Sequence, residues 1–138
     1  MKLKELLKSV EYESPDLDID DIEIEGIACD SRAIKRGYLF IAIDGTKLDG
    51  HKFANEAIDR GAIAVVVQKD VVLSDGFPKI YVKDSRVALA KIANEFYGRP
   101  SEKIKCIGIT GTNGKTTISY LMDSILTTAG HRVGIVGT

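Results

Sequence analysis

Apolar positions along this chain follow two rhythms, and the switch between them predicts the elements. Leu3, Leu6, Leu7 and Val10 recur at helical spacing and predict a small amphipathic helix. Residues 22–29 alternate and predict a strand, and the turn Lys35-Arg36-Gly37 leads into a second one over 38–43. Asp44-Gly45 breaks that strand, leaving 46–50 as a polar loop that ends in Asp49-Gly50. Phe53, Ala54, Ala57 and Ile58 share one face of a helix over 51–60, with Gly61 as its stop. Residues 62–68 are almost wholly apolar and rich in β-branched side chains, the pattern of a buried strand. Asp75-Gly76-Phe77-Pro78 turns the chain into another strand over 79–82. Asp84 or Ser85 then caps a helix whose core face is Leu89, Ile92, Ala93 and Phe96, ended by Gly98.

Gly98-Arg99-Pro100-Ser101 reads as a linker. Beyond it the pattern predicts a strand over 104–110, a loop, a helix over 115–129, Gly130, and a strand over 132–136. Alternating strands and helices make the fold class α/β. One strand-helix-strand unit is not a domain, because parallel sheets contain several strands and are covered on both faces. The expectation is therefore a complete N-terminal α/β domain over residues 1–98, followed over 99–138 by the opening of a second domain that the chain truncates.

Composition narrows the function classes. Of 138 residues, 44% are hydrophobic and 28% charged, a globular balance that argues against disorder. The net charge of −1 offers no basic field for nucleic acid. The longest apolar run, 62–67, is too short to span a bilayer, and the first residues lack the apolar core of a secretory signal. Cys29 and Cys106 lie in apolar, strand-like runs and read as buried free thiols of a reducing compartment, so a cytoplasmic location is expected. The acidic stretch 11–21, broken by Pro15, reads as a solvated loop, since it lacks the glycine turn and ligand spacing of a calcium site. With His51 and His131 as the only histidines, no zinc constellation forms. His51 is expected to cap or pack, and His131 to face solvent. No nucleophile–base pair is visible.

The chemistry lies in Thr110-Gly111-Thr112-Asn113-Gly114-Lys115-Thr116-Thr117, set between the expected strand and helix. A phosphate loop needs glycines so that backbone N–H groups can approach phosphate oxygens, and a helix N-terminus beneath them. It needs a lysine for the β/γ-phosphates and a hydroxyl for Mg²⁺. Gly111 and Gly114 supply the turn, Lys115 the charge and Thr116 the hydroxyl. The general pattern has its first glycine where this chain has Ile109. ATP and GTP both suit such a loop.

The string from Gly108 to Thr117 resembles the Mur ligases of peptidoglycan precursor synthesis, whose loop uses this closer glycine spacing. Upstream, Asp30-Ser31-Arg32, Gly37, Leu39-Phe40, Ala42, Gly45, Asp49-Gly50-His51, Phe53, Ala57 and Gly61-Ala62 resemble the first domain of two family members. One adds the third amino acid and the other the D-alanyl-D-alanine dipeptide; Phe96-Tyr97-Gly98 and Pro100-Ser101 resemble the former. The resemblance implies an ATP-dependent amide ligase with Mg²⁺, joining a diamino acid to a UDP-N-acetylmuramoyl-dipeptide through an acyl phosphate. It implies that Gly111, Thr112, Asn113, Gly114, Lys115, Thr116 and Thr117 bind ATP, with Thr116 on the metal. It also implies that Cys29, Ser31, Thr46, Lys47 and Leu48 meet the UDP end of the substrate. Central and C-terminal domains are implied beyond residue 138, so the chain alone is expected to lack ligase activity.

Several readings stay open on the residues themselves. Lys47 beside Asp49-Gly50 suits a diphosphate as well as it suits a solvated loop. Asp30-Ser31-Arg32 also reads as a turn held by its own side chains, with Asp30 and Arg32 structural. The dipeptide-adding sister enzyme, a non-catalytic nucleotide-binding module and a phosphate-loop kinase or GTPase are the alternatives.

Overall fold

A computed structural model describes residues 1–13, 19–46, 48–74 and 76–137. The expectations placed on Pro15, Lys47 and Asp75 lie outside these residues. The chain divides into two compact units, Met1–Lys103 and Ile104–Thr138.

The first unit is built on a five-stranded mixed sheet in the order β1-β5-β4-β3-β2: β1 (Tyr12–Glu13), β2 (Gly26–Ala28), β3 (Tyr38–Ile41), β4 (Ala62–Val67) and β5 (Lys79–Val82). Strands β2 to β5 run parallel, and only β1 pairs antiparallel, along β5. Parallel strands must be covered on both faces, and the pleat sorts the side chains accordingly. Leu39 and Ile41 of β3 face one side, against Leu3 and Leu6 of α1 (Leu3–Leu6) and Ala88 and Ile92 of α3 (Ser85–Phe96). Phe40 and Ala42 face the other, against Ile34 and the Ala54 and Ala57 of α2 (Ala54–Asp59). The β3–β4 register slips by one residue, from Tyr38↔Ala62 to Leu39↔Ala64. This bulge leaves Ile63 beside Ala64 on the α1/α3 face.

Several expectations need correction. The strand expected over 22–29 pairs only over Gly26–Ala28, and Glu23 makes an isolated bridge to Lys2. Cys29 therefore stands past the end of the ladder and is exposed, as is Cys106; neither is the buried thiol the apolar runs implied. The acidic loop contributes β1, because the free edge of β5 gives Tyr12 and Glu13 a partner. The helix over 51–60 divides into a 3-10 turn, Gly50–Phe53, and α2. The buried stripe of α3 is Ser85, Ala88 and Ile92, with Leu89 and Phe96 on its flank. The short helix α4, Pro100–Lys103, begins inside the stretch read as a linker.

The second unit holds α5 (Lys115–Thr128), which ends in a left-handed Gly130. The flanking segments 104–110 and 132–136 carry no regular structure and form no ladder, so the two expected strands are absent among the described residues. Their apolar pattern favours strands, but a strand exists only by hydrogen-bonding a neighbour, and residues 104–137 offer neither segment one. No helix among the described residues is long and apolar enough to cross a membrane.

Helix α3 separates the weight of capping from that of packing. Asp84 accepts from the N–H groups of Arg86 and Val87, while Ile92 is fully buried. Asp84→Ala is expected to cost about 1 kcal/mol and Ile92→Ala about 2–5 kcal/mol. Urea midpoints at unchanged slope measure both, and a larger loss at Asp84 would contradict this account of the helix.

Candidate functional site

The four parallel strands end on one edge of the sheet, the edge where open α/β sheets place their ligands. Ala28 ends β2, and Cys29, Asp30 and Ser31 come directly after it. Ile41 ends the neighbouring β3 and leads into the 44–49 loop; Gln68 and Lys69 lie just past β4, and Asp84 and Ser85 just past β5. The expected residues Cys29, Ser31, Thr46 and Leu48 thus share this edge, with Cys29, Thr46 and Leu48 exposed and Ser31 buried.

Asp30 holds its turn together. Its carboxylate accepts from the Arg32 backbone N–H at 3.0 Å and from Arg32 Nε and Nη2 at 2.9 and 2.6 Å. The Arg32 guanidinium and N–H lower its pKa to about 2. Asp30 and Arg32 are therefore engaged with each other. Ser31 opens the 3-10 turn Ser31–Ala33 at 6% exposure, and its carbonyl accepts from Ile34 N–H. No hydrogen bond engages its hydroxyl among the described residues.

The 44–49 loop is cinched at its base. Asp44 and Asp49 form an antiparallel bridge, Gly45 N–H donates to Leu48 O at 3.0 Å, and Gly50 N–H donates to Ile43 O at 2.8 Å. A Cβ on Gly45 would stand 2.5 Å from the Leu48 carbonyl oxygen, and one on Gly50 2.7 Å from that of Ile43. Both close approaches are to backbone, which cannot yield cheaply, so the loop requires both glycines.

A polar chain ties this loop to the ends of β4 and β5. Lys69 Nζ lies 2.9 Å from Asp44 Oδ2 and 2.8 Å from Asp49 Oδ2. Asp49 Oδ1 accepts from the His51 backbone N–H at 3.0 Å and meets His51 Nδ1 at 2.7 Å. On the far side of the ring, Nε2 accepts from Gln68 N–H at 3.1 Å. These partners require a neutral imidazole with its proton on Nδ1. Gln68 Oε1 in turn accepts from Ser85 N–H and Oγ. The Lys69 ammonium, aided by His51, holds the Asp49 carboxyl well below the usual carboxylate range. His51, read from sequence as a capping or packing residue, is a buried connector, and Asp49 is the cap of its turn. The roles of Lys69, Gln68 and Ser85 were not foreseen. A polar pair just past a buried strand was their only signal.

In the second unit, Gly111 and Gly114 have positive φ, +151° and +75°, and Gly114 caps α5. With no side-chain cap, the first N–H groups of α5, from Lys115 to Thr117, face outward without helical partners. Lys115 Nζ folds back onto Gly111 O at 2.6 Å. Residues 111–117, including Thr112, Asn113 and Thr116, are exposed. The segment thus presents outward-facing donors, one cation and a hydroxyl at one helix end.

Residues 23–97 match the family model described as Mur ligase family, catalytic domain, which is more than half of the chain. This chain belongs to the Mur ligase family. It is 47% identical over 138 residues, its full length, to the UDP-N-acetylmuramoyl-L-alanyl-D-glutamate--2,6-diaminopimelate ligase of Listeria monocytogenes serovar 1/2a (strain ATCC BAA-679 / EGD-e). It spans 28% of that relative's length. A solved UDP-N-acetylmuramoyl-L-alanyl-D-glutamate--2,6-diaminopimelate ligase matches with a TM-score of 0.76 at 26% identity, covering 100% of this chain and 28% of the other. The MurF ligase of Thermotoga maritima, solved in complex with ADP, matches at TM-score 0.57 and 31% identity over 78% of this chain and 24% of its own. These relatives are named as ligases, and this chain is similar to their N-terminal part.

The geometry sets two measurable outcomes. His51→Ala removes the acceptor of the part-buried Gln68 N–H and leaves a void at a buried ring, so a loss of about 2–4 kcal/mol is expected in chemical denaturation. A loss below about 0.5 kcal/mol would mean that the connector carries no weight. Asp30 should titrate near pH 2 by carboxyl-carbon NMR, and Arg32→Ala should move that midpoint up towards the unperturbed 3.8. A depressed carboxyl stabilises the fold above its unfolded value, and that contribution is lost as pH falls through about 2. An unmoved midpoint in Arg32→Ala would assign the shift to the backbone N–H alone.

Proposed function

We propose that this chain is the N-terminal part of an ATP-dependent ligase that adds 2,6-diaminopimelate to UDP-N-acetylmuramoyl-L-alanyl-D-glutamate. The observation that carries the reading is the 47% identity, over all 138 residues, to a ligase of that name. The sister enzyme that adds D-alanyl-D-alanine is the weaker reading, because the solved MurF ligase matches at TM-score 0.57 over 78% of this chain, against 0.76 over all of it for the solved diaminopimelate ligase.

In the proposed reaction ATP phosphorylates the free D-glutamyl carboxylate, and the amine of the incoming diamino acid displaces phosphate from the acyl phosphate. The chain's own contribution is positioning and charge neutralisation. Residues 1–98 are proposed as the UDP-substrate domain and 99–138 as the start of the ATP domain. Cys29, Ser31, Thr46, Lys47 and Leu48 would meet the UDP end. The unbonded, buried Ser31 hydroxyl on the ligand-binding edge supports this placement, since a buried polar group ordinarily finds a partner. Lys47 enters on its sequence position alone.

Gly111 to Thr117 would bind the ATP phosphates, with backbone N–H groups at the start of α5 as donors. Lys115 must then exchange the Gly111 carbonyl for phosphate oxygen. The exposed Thr116 hydroxyl, unbonded among the described residues, fits a site for Mg²⁺, which would offset phosphate charge. Because ATP and a UDP-linked precursor are the proposed substrates, the proposed location is the cytoplasm.

The test is differential. Amide shifts induced by UDP and by Mg-ATP are mapped on wild type, Ser31→Ala and Lys115→Ala. UDP should perturb residues 29–31 and 44–49, and Ser31→Ala should weaken it without touching ATP. Lys115→Ala should weaken Mg-ATP roughly tenfold to hundredfold, the equivalent of a lost charge-assisted contact of about 1.5–3 kcal/mol. UDP shifts confined to 111–117, or unchanged in Ser31→Ala, would overturn the assignment.

A further inference from the structure

The base of the 44–49 loop holds two carboxylates together, and Lys69 is the residue placed between them. Its ammonium donates to Asp44 Oδ2 at 2.9 Å and lies 2.8 Å from Asp49 Oδ2. The two acids are the backbone bridge partners that close the loop, so their Cα atoms stay paired and their carboxylates remain neighbours. Arg86 Nη2 adds a second cation at the Asp44 carbonyl, 3.0 Å away. His51 is neutral by its hydrogen bonds and contributes no charge. Lys69 is 43% exposed along its side chain, and an exposed ion pair adds little to global stability. The consequence of this cation is therefore local, and it is electrostatic.

We infer that Lys69 is a positioning residue for a nucleoside diphosphate, offsetting together with Arg86 the Asp44 and Asp49 charges so that the diphosphate can approach the 44–49 loop. The inference rests on the reading of this edge as the UDP site. Without Lys69, a diphosphate would meet an uncompensated carboxylate at the loop base. One unit charge at a distance on the order of 8–10 Å, with the effective dielectric of a wet surface, changes affinity roughly threefold to tenfold. Salt erases most of such an effect, because the screening length at 1 M is only about 3 Å. A nucleoside without phosphates would not feel it.

The experiment measures UDP and uridine affinities by amide-shift titration of the 138-residue chain, in low and high salt. The variants are Lys69→Met, Lys69→Arg and the double variant Lys69→Met with Asp44→Asn. Lys69→Met should bind UDP roughly fivefold more weakly at low salt, with the loss shrinking at high salt and uridine unaffected. Lys69→Arg should keep wild-type affinity, and Asp44→Asn should restore it in the Met background. Equal weakening of UDP and uridine, or a loss indifferent to salt, would reduce Lys69 to a prop for loop shape and overturn the inference. If UDP binds wild type and Lys69→Met alike, the role of Lys69 falls while the UDP site stands. If UDP moves no amide near the loop in wild type, the UDP site and the inference fall together.

Discussion

The parallel pairing of β3 with β4 governs the first unit. Neither strand of a parallel pair can be joined to the other by a tight turn, so each connection must travel back across a face of the sheet. Here those returns are the 3-10 turn at Ser31, α2, and the segment before β5, while α1 and α3 close the opposite face. Because every return starts from the same edge, the loops after β2, β3, β4 and β5 gather there. The hydrophobic faces thus decide where the polar residues end up. Leu39 and Phe40, one residue apart and facing opposite ways, secure both helical layers at once.

At that edge the polar groups form a relay whose members lie far apart in sequence. Gln68 is read by His51 on one side and by Ser85 on the other, at separations of 17 residues each. Asp49 uses one oxygen for His51 and the other for Lys69. Asp49, His51, Gln68 and Lys69 thus tie the base of the 44–49 loop to the ends of β4 and β5. A loop built this way can hold a fixed shape without regular structure of its own, which suits the ligand role proposed for it.

Local signals were legible in the sequence, and long-range ones were not. The runs at 62–67 and 79–82 were marked by their own side-chain pattern, and the Asp84 cap and the self-contained Asp30–Arg32 turn rest on neighbours within a few residues. Their physics is written beside them. Strand β1 depends on a β5 edge some seventy residues away, so a run of acidic residues gave no hint of it. The exposure of Cys29 turns on where the β2 ladder stops, at the Ala28↔Phe40 pair, which only the fold reveals. Of the candidate site, the residue types of the loop and of the glycine-rich segment could be read directly. Lys69 could not, because its two acids are 20 and 25 positions away and only the fold brings them to it.

In their proposed roles the two units would meet phosphate with different physics. Helix α5 is 14 residues long, and its exposed N-terminus offers unpaired N–H groups with the positive end of a dipole. Lys115, resting on Gly111 O, adds one movable charge to a field the backbone already supplies. The 44–49 loop has no such helix beneath it. It runs instead into a 3-10 turn and a helix of only 6 residues, whose first donors are occupied by Asp49 and by the turn itself. Whatever polarity that loop presents must come from side chains, and two of those nearest its base are acids. A loop of this kind would tolerate a phosphate only if its own negative charge were already answered, and the cations placed to answer it are Lys69, just past the next strand, and Arg86.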